Sequence, residues 1–203
     1  MERSLPWPLQ LAVLASTLAA VLWFVVLGVQ DRIRAEVELS RRLLDVEARS
    51  GAPLPFELES LDGRTVRSSD LEGKTVLINF WATWCPPCIE EMPSLRALAQ
   101  HFTDREDFVL VAISTDESWD VVRDFFEAEP PNFTVLLDPG GALSARYGTT
   151  KFPETYVLKE GEMEGIVVGP RTWDAWYAKR YVEGLISDEA GSRIPSGSRT
   201  ASK

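Results

Sequence analysis

The sequence predicts an α/β fold in which a mixed central sheet has helices on both faces and follows one transmembrane helix. Three observations support this prediction. Beyond residue 51, short apolar runs rich in β-branched residues alternate with segments of helical periodicity. The last two strand-like runs are separated by Glu160-Gly161-Glu162, a turn signal that predicts a hairpin. An uncharged run of 21 residues precedes all of these elements.

The predicted strands and helices follow one another in a regular order. The strands cover residues 56–59, 65–67, 75–80, 108–114, 133–137, 155–159 and 165–168. The helices cover residues 86–102, 118–129, 141–147 and 172–186. The runs TVLINF and FVLVAIS at residues 75–80 and 108–114 are almost wholly apolar, as expected of buried central strands.

The N-terminal run, LQLAVLASTLAAVLWFVVLGV at residues 9–29, predicts a membrane anchor. At about 1.5 Å per residue, a helix of this length crosses a hydrocarbon core of roughly 30 Å. A cleaved signal peptide and a buried core helix are the alternatives. The run is longer than the apolar region of a typical signal peptide, lacks a good cleavage site and has no polar face. Arg3 lies before it and Arg32 and Arg34 after it, so flanking charge does not fix the orientation.

The chain therefore divides into four predicted segments. Residues 1–30 are the anchor, and residues 31–50 form a charged helical spacer, interpreted as a solvated linker. The sequence GAPLP breaks this spacer, so the folded domain is expected over residues 51–187. Residues 188–203 contain almost no hydrophobic side chains and are expected to be a disordered tail.

Composition excludes several classes of function. The net charge of −10 over 203 residues argues against nucleic-acid binding, which needs a basic surface. The chain has two cysteines and one histidine, too few for a disulfide framework or a four-ligand zinc site. We expect no metal and no cofactor.

The two cysteines, Cys85 and Cys88, stand in Trp-Cys-Pro-Pro-Cys between a predicted strand and an amphipathic helix. The first turn of a helix has unpaired N–H groups and partial positive charge, which lower a thiol pKa. Pro86 suits the first helical position, where an N–H is not needed. Cys88 lies one turn further, so Cys85 is expected to be the exposed nucleophile and Cys88 the deeper partner. Metal binding and an inert structural disulfide are the alternatives.

The segment FWATWCPPCIEEMP at residues 80–93 resembles the active-site segment of the TlpA/ResA family, the membrane-anchored thioredoxin-like proteins of bacteria. The similarity covers roughly residues 51–186. It implies a thioredoxin-like fold and a redox-active Cys85–Cys88 pair, which forms a disulfide when oxidised and whose dithiol form reduces protein disulfides. It also implies a domain on the extracytoplasmic, periplasmic side of the bacterial cytoplasmic membrane. Protein thiols, apocytochrome c among them, would be substrates, and a membrane protein of the transmembrane thiol-relay type would donate electrons.

The resemblance assigns further site residues. The segment YGTTKFPETYVL at residues 147–158 is similar to the segment that holds a cis-proline against the cysteines, which would be Pro153. The expected substrate-binding surface is formed by Trp84, Pro86, Pro87, Phe152 and Pro153.

A proton-transfer role falls on Glu91, three residues after Cys88, where the family has a glutamate that tunes thiol protonation. Thioredoxin has a buried aspartate in the strand before its cysteines, whereas this chain has Asn79, which cannot accept a proton. The alternative is that Glu91 is a solvated acid on the helix surface.

Two other functions occur on related folds. A peroxiredoxin-like peroxidase would need threonine three residues before its cysteine, where this chain has Ala82, with Thr83 out of register. A copper chaperone would need a longer cysteine spacing and a histidine near the cis-proline, where this chain has Phe152. Peroxide consumption and copper titration would distinguish these readings.

Overall fold

The computed structural model describes the backbone of residues 6–192 and the side chains of residues 6–186. The helices are α1 (Trp7–Leu43), α2 (Pro86–His101), α3 (Trp119–Phe126), α4 (Ala142–Tyr147) and α5 (Trp176–Ser192). The strands are β1 (Glu47–Ala48), β2 (Glu57–Glu59), β3 (Thr65–Arg67), β4 (Thr75–Trp81), β5 (Phe108–Ser114), β6 (Thr134–Leu137), β7 (Glu154–Lys159) and β8 (Glu162–Val168). Short 3₁₀ turns cover Ser68–Leu71 and Pro139–Gly141.

A six-stranded mixed sheet in the order β1-β8-β7-β4-β5-β6 forms the centre of the domain. The central strand β4 runs parallel to β5 and antiparallel to β7, with Asn79 opposite Ala112 on one side and Thr155 on the other. The hairpin of β7 and β8 is antiparallel, as its short turn predicted. The predicted α/β fold with a mixed sheet is therefore confirmed.

Side chains of alternating direction on β4 build two separate cores. Leu77 and Trp81 pack beneath α2, α3 and α5, whereas Val76, Ile78 and Phe80 face α4 and the β2–β3 hairpin. Every residue of β4 is buried, which explains why its sequence is a continuous apolar run rather than an alternating one. Thr75 and Asn79 are the polar residues of this strand, and Asn79 lies on the same face as α2.

The helix α1 contains 37 residues and is long and apolar enough to cross a membrane. Its apolar half is wholly exposed in the isolated chain. The helix continues without a break through residues 31–43 of the predicted spacer.

Residues 31–50 are not the solvated linker that the sequence suggested. The lower half of α1 packs against α5, where Gly184 lets the side chain of Val37 approach closely. Leu44 is fully buried in the core, and β1 then pairs with β8. Packing with the domain thus begins before the predicted boundary at residue 51, because apolar residues in this charged segment find partners on distant elements.

The C-terminal helix also differs from its prediction. It begins at Trp176 rather than residue 172 and runs to Ser192, so residues 188–192 of the predicted tail are helical. Residues 193–203 lie outside the described part of the chain.

Candidate active site

The cysteine pair lies where β4 passes into α2. Cys85 is the residue that caps α2, and Cys88 follows in its first turn. The two are joined as a disulfide with their Cα atoms 5.3 Å apart. Cys85 is 5% exposed and Cys88 is fully buried. The order of depth is the expected one, but Cys85 is itself largely buried in the oxidised protein rather than exposed.

The first turn of α2 offers the sulfur of Cys85 no unpaired N–H group. Pro86 and Pro87 have none, and the N–H groups of Cys88 and Ile89 both donate to the carbonyl oxygen of Cys85, at 3.0 and 3.1 Å. The N–H of Cys85 donates to Ala82 O. The expectation of direct donors to the thiolate is therefore not met, and the helix acts on the thiol only through its partial positive charge.

The loop before Cys85 is held by a buried carboxylate. The backbone N–H and the hydroxyl of Thr83 donate to Asp116, at 3.0 and 2.8 Å, and the hydroxyl of Ser114 donates to the same side chain at 2.7 Å. Asp116 follows β5, the parallel neighbour of β4. These bonds fix the path of the chain between the end of β4 and the disulfide.

The predicted substrate-binding residues come from two segments that lie together. The peptide bond between Phe152 and Pro153 is cis, as the resemblance implied. The rings of Trp84 and Phe152 meet edge to face with centroids 5.9 Å apart. Trp84 is 64% exposed. An accessible aromatic surface thus borders the disulfide, with Pro86 exposed and Pro87 partly exposed beside it.

The carboxyl of Glu91 is buried, with 3% of the residue exposed, and three donors surround it. The side-chain amide of Asn79 donates to Oε1 at 2.9 Å. The backbone N–H of Arg171 and the indole N–H of Trp173 each donate to Oε2 at 3.1 Å. The alternative of a solvated surface acid is therefore wrong for Glu91, whereas the adjacent Glu90 is exposed.

Burial raises the pKa of Glu91 to about 7, because a carboxylate loses its hydration there. The three donors and the charge of Arg171 oppose this shift, since each favours the ionised form. The outcome is a carboxyl group that exchanges a proton close to neutral pH. It lies on α2 three residues after Cys88, and residues at this spacing share one face of a helix.

Asn79 connects this carboxyl to the sheet. Its amide nitrogen also donates to the hydroxyl of Thr155 at 3.0 Å, in the strand next to β4. Its own carbonyl oxygen is buried and has no hydrogen-bond partner in the protein. A buried hydrogen-bond acceptor without a partner therefore stands beside the carboxyl group.

Arg171 and Trp173 were not identified from the sequence as site residues. Trp173 is also part of the core, with 1% of the residue exposed. Both lie about 80 residues beyond Glu91, in a segment predicted partly as helix. The local sequence pattern cannot predict a contact between residues that lie so far apart in the chain.

The described side chains form no cluster of metal-ligating groups. Within residues 6–186, no group of three or more His, Cys, Asp or Glu side chains is arranged to hold a metal ion. His101 lies at the surface, 3.4 Å from Glu183.

Comparison with known proteins places this geometry in a family. The AhpC/TSA family model matches residues 50–166. The chain is 36% identical over 135 residues to the thioredoxin-like protein YneN of Bacillus subtilis, which covers 66% of this chain and 78% of that protein. It is 39% identical over 133 residues to the thiol-disulfide oxidoreductase ResA of Oceanobacillus iheyensis, covering 65% of this chain and 66% of that protein.

A solved structure supports the same assignment. A thiol:disulfide interchange protein of the thioredoxin family from Chlorobium tepidum TLS matches with a TM-score of 0.59 and 28% identity. The match covers 69% of this chain and 99% of that one. The matched segment spans about two thirds of the length of the ResA protein. The chain belongs to the AhpC/TSA family, as a thioredoxin-like thiol–disulfide oxidoreductase of the ResA type with a Cys-x-x-Cys active site.

Proposed function

We propose that the chain reduces disulfides of extracytoplasmic proteins, apocytochrome c among them, while α1 anchors it in the cytoplasmic membrane. The observation that carries this proposal is the depth of the two sulfurs. Cys85 lies at the edge of the exposed Trp84–Phe152 surface, and Cys88 is fully buried behind it. A protein disulfide can therefore reach Cys85 and not Cys88, as a nucleophile and a resolving thiol require.

The reaction exchanges one disulfide for another. In the reduced protein, the thiolate of Cys85 attacks a partner sulfur and forms a mixed disulfide, and the partner's other sulfur leaves as a thiolate that takes up a proton. The thiolate of Cys88 then attacks the sulfur of Cys85 and releases the second partner thiolate. Two electrons and two protons pass to the partner, and the Cys85–Cys88 disulfide remains.

Glu91 is assigned the proton transfer in this cycle. Cys88 must lose its proton before it can attack, and its burial disfavours the thiolate. The carboxyl of Glu91 is buried on the same helix and has its pKa raised by that burial to about 7, so it can accept a proton near neutral pH. Asn79 cannot take this role, because an amide does not accept a proton.

The cycle needs an external source of electrons. A membrane protein that relays electrons by thiol–disulfide exchange would reduce the Cys85–Cys88 disulfide, using the same Cys85 surface. The apolar half of α1 supports a location in the membrane, since it leaves large apolar side chains exposed outside any protein core.

Trapping of mixed disulfides tests the proposal. The full-length Cys88→Ser variant is expressed in its membrane, and its covalent partners are separated without reductant and identified by mass spectrometry. We expect extracytoplasmic thiol proteins joined through Cys85, and none with Cys85→Ser as the matched control. Partners in equal yield from both variants, or from neither, would exclude Cys85 as the attacking group.

A peroxidase function finds no support at Thr83. Its hydroxyl donates to Asp116 rather than standing free beside the sulfur. A rate of peroxide consumption by the reduced protein that matches its rate of disulfide reduction would contradict this interpretation.

A further inference from the structure

The segment between β8 and α5 is bound to two parts of the molecule at once, helix α2 and the end of helix α1. Its backbone is held by α2: the N–H of Arg171 donates to Glu91, its carbonyl accepts from the hydroxyl of Ser94 at 3.2 Å, and the N–H of Trp173 donates to Ser94 at 3.1 Å. The side chain of Arg171 points the other way. Its Nε donates to the carbonyl oxygen of Leu44 at 2.8 Å, and one terminal nitrogen lies 3.3 Å from Asp45.

Leu44 and Asp45 are the residues at which α1 ends. Leu44 caps the helix and is fully buried, and Asp45 has a positive φ of 56° that turns the chain toward β1. The carbonyl oxygens of a last helical turn lack partners within the helix. Arg171 supplies one such partner, so a single residue bonds the end of α1 through its side chain and the carboxyl of Glu91 through its backbone.

We infer that Arg171 is a positioning residue that fastens the carboxyl of Glu91 to the end of α1 at Leu44, and that this one attachment influences proton transfer at the active site. The inference rests on the proposed role of Glu91. It requires that the backbone N–H of Arg171 remain directed at Oε2 of Glu91. The bond from the Arg171 side chain to Leu44 O holds Arg171 in place on the side that faces away from α2.

The groups packed around Glu91 define what a change at Arg171 would do. Asn79 from β4 and Trp173 are neutral donors, Thr155 of β7 acts only through Asn79, and the cysteines precede Glu91 on α2. Among the described residues, Arg171 is the charged group that acts on the carboxyl. Its N–H and its charge both favour the carboxylate, so weakening either makes Glu91 harder to ionise.

The test uses the reduced full-length protein in lipid nanodiscs, with the rate of disulfide formation on mixing with oxidised glutathione measured from pH 5 to 9. Glu91→Gln identifies the inflection in this profile that belongs to the carboxyl. We expect Arg171→Ala to move that inflection upward by roughly half a pH unit, a threefold change in the protonation equilibrium.

Two further variants separate the attachment from simpler effects. Arg171→Lys keeps the charge, but an ammonium cannot satisfy Leu44 O and Asp45 in the forked geometry of a guanidinium, so the inflection should again move upward. Arg180→Ala is the matched control: Arg180 bonds Glu36 of α1 at 3.0 Å and none of the groups around Glu91, so the inflection should stay. Circular dichroism verifies that each variant is folded.

Each outcome decides the inference. Upward shifts in both Arg171 variants, with none in Arg180→Ala, support it. A shift in Arg171→Ala alone would show that only the charge acts, and would overturn the link to α1. Shifts of equal size in the Arg180 control, or none in any variant, would overturn it while leaving the role of Glu91 intact. A wild-type profile in Glu91→Gln would remove that role, and the inference with it.

Discussion

The buried carboxyl of Glu91 should make the protein less stable as the pH rises, and Glu91→Gln should remove that dependence. A pKa raised from 4.5 to about 7 means that the folded state binds more protons than the unfolded state between these values. Stability is therefore fully retained below the unfolded pKa and falls as the pH rises toward the folded one. A shift of this size corresponds to about 3 kcal/mol at about 1.4 kcal/mol per pH unit.

A glutamine can occupy the same site without adding an unpaired buried group, because the unpaired Asn79 oxygen is exchanged for an unpaired Asn79 nitrogen. Its carbonyl oxygen can accept from Arg171 and Trp173, as Oε2 does now. Its amide can donate to the carbonyl oxygen of Asn79, which has no partner in the protein, once the Asn79 side chain turns over. The substitution therefore removes the charge with little other disturbance.

The assay is urea unfolding of the oxidised full-length protein in non-ionic micelles, followed by the fluorescence of its seven tryptophans. We expect the free energy of unfolding of Glu91→Gln, relative to wild type, to rise by about 2–3 kcal/mol between pH 5 and pH 8. Glu90→Gln, which removes an exposed neighbouring carboxyl, is the control. A difference that stays within about 0.5 kcal/mol across this range would refute the assignment of a buried, hard-to-ionise carboxyl.

Three further predictions follow from single contacts. Trp84→Ala should lower kcat/KM for a protein disulfide about tenfold and leave the rate with oxidised glutathione unchanged, because an exposed tryptophan contributes mainly to contact with large partners; equal losses for both substrates would contradict this. Gly184→Ala should destabilise the protein by about 1–3 kcal/mol in thermal unfolding, since its new Cβ would lie 2.5 Å from Val37, and adding Val37→Ala should restore part of the loss. Asn79→Asp would place a second carboxyl 2.9 Å from Glu91, where both cannot ionise, so its free energy of unfolding should fall more steeply than that of wild type between pH 6 and pH 8.

The parts of the fold that the sequence predicted are those with strong local patterns. The strands β4 and β5 are continuous apolar runs, and the turn at Gly161 fixed the hairpin of β7 and β8. The strand β1 was not predicted, because it has only two residues and both are exposed. It is recognised as a strand by its pairing with β8, which the sequence does not reveal. The packing of α1 on α5 escaped because a charged helix gives no indication of which distant surface it will meet.

The same distinction applies to the site. The cysteine pair and Pro153 were found because their motifs are short and contiguous. The environment of Glu91 depends on Asn79, Arg171 and Trp173, which lie 12, 80 and 82 residues away. Only the folded chain shows that these groups converge, and therefore that Glu91 is buried whereas Glu90 is not.

The unbroken course of α1 has a mechanical consequence. A domain joined to its membrane helix by a flexible linker takes up many distances and orientations relative to the membrane. Here α1 continues for 14 residues, roughly 20 Å, past the apolar run and packs against the domain. With α1 in a bilayer, this rigid connection would hold the two sulfurs at a fixed distance from the membrane surface. Partner proteins would then be selected by geometry as well as by chemistry, since only a disulfide that lies at that distance from the membrane could react with Cys85.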